Sequence, residues 1–146
     1  MENESTGKKP LLAMLVMLGV LAIGFVFIAV HLNYPGQVIE NVDSDKAFDL
    51  VERNRDNRDF TVLDIRTPEE FQTEHIEGAV NLDYYSDSFK EELCKLDKGK
   101  TYLVYCRRGE RTERALPLFR ECRFRRLYVM PEGLKGWVEL GFPTVK

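Results

Sequence analysis

The chain has 146 residues and a net charge of −3, from 21 Lys and Arg against 24 Asp and Glu. An uncharged run of 20 residues, Leu11 to Val30, must be set aside before a core is counted, and 116 residues follow it. That is enough for one compact core but not for two or for a repeat array, and it offers neither a basic field nor a groove-reading motif for nucleic acid.

At about 1.5 Å per helical residue the Leu11–Val30 run is roughly 30 Å long, the thickness of a bilayer's hydrocarbon. It is longer than the apolar region of a cleaved signal peptide, and its end, Ile28 to Leu32, lacks a small-x-small cleavage site. A transmembrane signal anchor over residues 11–30 is therefore expected. Ala22-Ile23-Gly24 would fit a cleavage site inside the run, so a cleaved signal peptide with a soluble exported domain is the alternative. Lys8 and Lys9 precede the run, whereas the first charges after it are Glu40, Asp43 and Asp45. The positive-inside bias then makes residues 1–10 a short cytoplasmic tail and places the domain on the extracytoplasmic (periplasmic) side. Residues 31–37, with Asn33, Pro35 and Gly36, read as a linker to a domain over 38–146.

Val38-Ile39 is expected as a brief strand, followed by a helix to about Asn54 with Ser44 as its N-cap and Ala47, Leu50 and Val51 inward. Phe60–Ile65 has the length and composition of a buried strand. Thr67-Pro68-Glu69-Glu70 reads as an N-cap, a first-turn proline and an acidic first turn, so a helix starts there. A third strand is expected over Ala79–Leu82, then a helix over Asp87–Leu96 with Phe89 and Leu93 inward. Tyr102–Tyr105 forms a fourth strand running into Cys106, and Arg111–Cys122 a helix. Leu127–Val129 makes a fifth strand, and Gly133–Leu140 closes as a short helix with Leu134, Trp137 and Leu140 in the core. Five alternations of strand and helix imply a parallel sheet covered by helices on both faces, with ligands at the carboxyl ends of the strands. Asp64 and Cys106 both stand at such ends.

Cys94, Cys106 and Cys122 are too few for a disulfide scaffold. Cys94 and Cys122 could pair in an oxidising compartment, but buried fillers are the commoner fate of such residues and are the expectation. Two histidines and three scattered cysteines give no metal-ligand spacing, so no metal is expected.

The chemistry concentrates in Cys106-Arg107-Arg108-Gly109-Glu110-Arg111-Thr112. A thiol between a strand and a helix sits among the amides of the first helical turn. Those donors, the helix dipole and three arginines all favour the thiolate, the nucleophilic form. Gly109 supplies the freedom to turn the loop's amides inward. The same cradle would hold an oxyanion or a sulfur adduct.

This loop resembles that of the single-domain rhodaneses, thiosulfate sulfurtransferases with Cys, four residues, then Arg and Ser or Thr. Cys106, Arg111 and Thr112 stand in those places. Leu63–Phe71 resembles the family's Asp-x-Arg segment and following helix, and His75-Ile76-Glu77-Gly78-Ala79-Val80-Asn81 its His-Ile-x-Gly-Ala-x-Asn stretch. Glu132–Trp137, followed by Gly141-Phe142-Pro143, resembles its closing pattern. The resemblance implies a rhodanese-like three-layer α/β domain with a five-stranded parallel sheet. It also implies a double displacement without a cofactor. In it Cys106 takes the outer sulfur of thiosulfate or a persulfide donor, then passes it to cyanide, a small thiol or a protein thiol. Arg107, Arg108, Gly109, Glu110, Arg111 and Thr112 are the expected substrate-binding loop, with Arg111 also holding it in shape. Asp64, Arg66 and His75 are expected to be structural residues near the site.

Related Cdc25-type phosphatases have five residues between Cys and Arg, a wider bowl than this one, and Tyr105 stands where tyrosine phosphatases place His. Phosphatase and arsenate reductase readings are disfavoured accordingly. A non-enzymatic sulfur carrier or redox sensor, and a docking module on the same fold, are the alternatives from other classes. Three positions depart from the family pattern: Pro117 falls inside a helix, Arg123 stands where a left-handed Gly is usual, and Glu132 replaces the first Gly of the closing pair.

Overall fold

Residues 36–146, together with Met17, are described by a computed structural model. The expected anchor over 11–30 lies outside them but for that one residue. Among the described residues no helix is long and apolar enough to cross a membrane.

Five strands form one parallel sheet: β1 (Val38–Asn41), β2 (Phe60–Asp64), β3 (Val80–Asn81), β4 (Thr101–Tyr105) and β5 (Arg126–Val129). Their order is β1-β5-β4-β2-β3. The helices between them are α1 (Ser44–Arg53), α2 (Pro68–Thr73), α3 (Phe89–Lys95), α4 (Glu110–Glu121) and α5 (Gly133–Glu139).

Alternation along the central strands sorts their side chains into two cores. Leu63, Tyr102, Val104, Leu127 and Val129 face α3 and α4, where they meet Leu93, Ala115 and Phe119. Val62, Leu103 and Tyr105 face α1 and α5, where they meet Ala47, Val51, Leu134 and Trp137. Both faces of β4 are thus buried, and four of its five residues, Tyr102–Tyr105, are nearly solvent-free. The chain leaves β2 toward β3 and leaves β4 in the other direction, toward β5. The sheet's topological switch point therefore lies between β2 and β4, whose carboxyl ends carry Asp64 and Cys106.

Several local expectations are corrected. Asp43, not Ser44, caps α1, its side chain accepting from the Lys46 amide at 2.8 Å. Ser44 is buried in the first turn and donates its hydroxyl to Glu132 Oε2 at 2.6 Å. Cys94 and Cys122 are not separate fillers; they form a disulfide joining α3 to the end of α4, with Cα atoms 5.0 Å apart. Leu140 is 52% exposed and stands outside the core formed by Leu134 and Trp137. The Asp87–Leu96 helix starts two residues later, at Phe89, because Ser86 and Ser88 make a turn closed by their hydroxyls at 2.8 Å.

The three departures resolve locally. Pro117 lies on the exposed side of α4, where water can satisfy the freed Glu113 carbonyl. Arg123 does adopt the left-handed conformation, at φ 61°. Glu132 has ordinary helical dihedrals and uses its carboxylate to bind both the amide and the hydroxyl of Ser44. A Gly at 132 would lose that link between α1 and α5.

Candidate active site

Cys106 follows β4 directly and is 1% exposed, its sulfur accepting from the Gly109 amide at 3.1 Å. The loop is held from behind. The Leu134 and Lys135 amides in the first turn of α5 donate to the carbonyls of Cys106 and Arg107 at 2.8 and 3.0 Å. With those carbonyls turned toward α5, the loop is fixed in a bend that brings the Gly109 amide onto the sulfur.

Glycine is needed at two places. Gly109 has φ 88°, and a Cβ there would fall 1.9 Å from the Pro131 carbonyl oxygen. Gly133 has φ 62°, and its Cβ would fall 2.5 Å from the Cys106 carbonyl oxygen. Both contacts are with backbone, which cannot step aside as a side chain can. Loop and closing helix therefore approach backbone to backbone.

The arginines divide into two kinds. Arg107 and Arg108 are exposed, as is Glu110. Arg107 lines a cleft of about 350 Å³ beside the loop, together with Arg66, Glu70, Leu134, Lys135 and Glu139. Arg111 instead makes a two-pronged ion pair with Glu70, at 2.6 and 2.8 Å, and lies over the ring of Tyr85 at 5.6 Å. Arg111 donating to its oxygens holds the Glu70 carboxyl down at about 2, while the Glu70 hydrogen bond raises Arg111 in turn. The pair ties the first turn of α4 to α2, so Arg111 braces the loop. Thr112 is fully buried, and among the described residues its hydroxyl oxygen has no hydrogen-bond partner. A buried orphan of this kind at the start of α4 is a donor held in reserve.

The residues expected near the site fall into a supporting layer. Asp64 and Arg66 form a buried pair at 2.7 Å, and Arg66 also donates to the Glu74 carbonyl at 2.6 Å. Asn81 binds the carbonyls of Asp64 and Arg66 at 3.1 and 2.9 Å. Burial pushes the Tyr105 phenol well above its usual range, and its oxygen accepts from the Ile76 amide at 3.2 Å. His75 stacks on Phe71 with 3.8 Å between ring centroids and places Nδ1 2.9 Å from the Phe71 carbonyl. It also pairs through its backbone with Val145, near the carboxyl terminus. Glu70, Pro131 and Gly133 complete the site without having been singled out for it. Glu70 reads in sequence only as an acid in the first turn of a helix, and Pro131 lies 25 residues from Cys106. Gly133 was visible only as part of the closing pattern.

Comparison with known proteins agrees with this fold. The family described as "Rhodanese-like domain" matches residues 47–140. Thiosulfate sulfurtransferase PspE of Escherichia coli K12 is 30% identical over 84 residues, covering 58% of this chain and 77% of PspE. A sulfurtransferase of Allochromatium vinosum is 26% identical over 108 residues, covering 74% of this chain and 96% of its own length. Among solved structures, the crystal structure of the Alr3790 protein from Anabaena sp. superposes with a TM-score of 0.62 at 26% identity, covering 71% of this chain and 80% of that one. With the family model matching residues 47–140, more than half of its length, the chain belongs to the rhodanese-like domain family.

Proposed function

We propose that the chain is a membrane-anchored, exported sulfurtransferase that carries sulfane sulfur as a persulfide on Cys106. The observation that carries this reading is the Cys106 sulfur at the strand end with the Gly109 amide aimed at it. A donor aimed at sulfur stabilises negative charge there, as thiolate and as persulfide anion. In the first half-reaction Cys106 Sγ attacks the outer sulfur of thiosulfate. The sulfur–sulfur bond of thiosulfate breaks, and sulfite leaves with the electron pair. In the second, the thiolate of a small or protein thiol, or cyanide, attacks the outer persulfide sulfur and Cys106 leaves as thiolate. Arg107 and Arg108, exposed at the loop, attract the dianionic donor, and Thr112 donates its free hydroxyl to the adduct.

Thiosulfate as donor is supported by the name of the Escherichia coli relative and by the basic loop. The four residues between Cys106 and Arg111 favour sulfur over phosphate as the bound group. Export is supported by the apolar run at residues 11–30, by Lys8 and Lys9 before it, and by the Cys94–Cys122 disulfide, a bond characteristic of oxidising compartments.

The test is thiosulfate-to-cyanide transfer by the full chain in detergent, counting thiocyanate and recording intact mass. Turnover that vanishes in Cys106→Ser, with an adduct of about 32 Da on the wild type alone, is the expected result. A folded, reduced sample with neither turnover nor adduct would overturn the reading in favour of a docking module.

A further inference from the structure

Residues 120–126 hold four arginines and one acid in a chain whose net charge is negative. The fold gathers them around the place where the chain enters the domain. The Gln37 side-chain amide donates to the Arg120 carbonyl at 3.0 Å, and the Val38 amide to the Arg125 carbonyl at 3.0 Å. Val38 lies in register with Arg126. Arg120, Arg125 and Arg126 are exposed, and among the described residues no carboxylate pairs with them. Glu121 is engaged with Lys90 at 2.6 Å and Glu40 with Lys46 at 2.5 Å. Lys98 lies at the same end, its carbonyl accepting from the Arg125 amide while its ammonium donates to the carbonyls of Cys94 and Leu96. Because all five strands are parallel, this is the amino end of the sheet, and Cys106 is at the opposite end.

We propose that Arg120, Arg125 and Arg126 form a surface that binds the phosphates of anionic lipid headgroups, leaving the Cys106 end of the sheet turned away from the bilayer. The inference rests on the anchor reading of residues 11–30. Residues 31–37 can span at most about 25 Å even when fully extended, so the domain's entry end is kept within that distance of the membrane surface. A tether that short gives the arginines a high effective concentration of headgroups, and clustered cations near an anionic bilayer gain from each charge. Guanidinium suits phosphate through its planar fork of donors. A sulfur donor and acceptor would then reach Cys106 from the aqueous side.

The experiment uses the full chain in nanodiscs of phosphatidylcholine, with and without phosphatidylglycerol. Phenylglyoxal modifies accessible guanidiniums, and mass spectrometry follows each arginine separately. Modification of Arg120, Arg125 and Arg126 is expected to slow about threefold or more in the phosphatidylglycerol discs and to recover in high salt. Arg114, exposed nearer the Cys106 end of α4, is expected to react equally in both. Equal rates for the three arginines in both discs, or slowing shared by Arg114, would overturn the proposal. Alkaline carbonate extraction of membranes from expressing cells reports the anchor separately. Release of the intact chain would overturn the anchor reading, and this inference with it, whatever the disc result.

Discussion

At Thr112 the proposed role toward the sulfur adduct is set against stability. Its hydroxyl is buried without a partner, which costs about 1–3 kcal/mol relative to a satisfied group. Valine has the same shape and no polar atom, so Thr112→Val is expected to keep the fold and to raise stability by up to about 1 kcal/mol. If the hydroxyl donates to the sulfur adduct, the same change slows thiosulfate-to-cyanide transfer about tenfold, since a donor aimed at developing charge acts on the barrier. Urea denaturation and the transfer assay on one preparation check both. A variant less stable and equally active would assign Thr112 to packing alone. Gly109 belongs to this scale too, because no side chain can occupy its φ of 88° against the Pro131 carbonyl.

At the scale of elements, the Glu70–Arg111 pair fastens α2 to α4, and its energetics follow pH. The Glu70 carboxyl sits at about 2 against an ordinary value of 4.5, because Arg111 donates to it. A depressed carboxyl contributes stability that is complete above the unfolded value and is lost as pH falls through the folded one. The window therefore runs from about pH 5 down to about pH 2. Glu70→Gln keeps the capping-box geometry with Thr67 but removes the charge. It is expected to lower stability by about 2 kcal/mol at neutral pH and by almost nothing at pH 2. Thermal melts of both proteins across that range check the convergence; a difference constant with pH would place the pair's contribution in packing rather than charge. The pair also marks where sequence reading stops. The N-cap at Thr67, the first-turn proline at Pro68 and the buried strands announce themselves through neighbours a few residues apart, and they stand as expected. Arg111's partner is 41 residues away, and Ser44 surrendered its cap to Asp43 because Glu132, 88 residues on, holds its hydroxyl. The disulfide was missed for the same reason: 28 residues separate Cys94 from Cys122, and only the packing of α3 on α4 brings their Cα atoms within 5.0 Å. Leu140 continued a helical stripe past the last turn of α5, where no element covers it.

For the molecule as a whole, the disulfide links stability to the compartment in which the chain folds. Closing a 28-residue separation restricts the unfolded chain enough to contribute about 3 kcal/mol. Cys106 stays outside that pairing as the free thiol, buried to 1% exposure, so oxidation at Cys94 and Cys122 leaves the proposed nucleophile unpaired. On the export proposed above, the full chain would meet an oxidising environment and gain the bond, and a chain lacking residues 11–30 would stay among reducing thiols without it. Alkylation of cells after acid quenching and denaturation reads this directly. In the full chain, two cysteines are expected to resist alkylation until reductant is added, and one to react at once. In the chain lacking residues 11–30, all three are expected to react at once, with stability in urea lower by about 3 kcal/mol than that of the oxidised full chain. Identical alkylation patterns in the two chains would separate the disulfide from export and remove one support of the exported reading. Different patterns would mean that the compartment completes the scaffold, while the loop around Cys106 is built from contacts that need no oxidant.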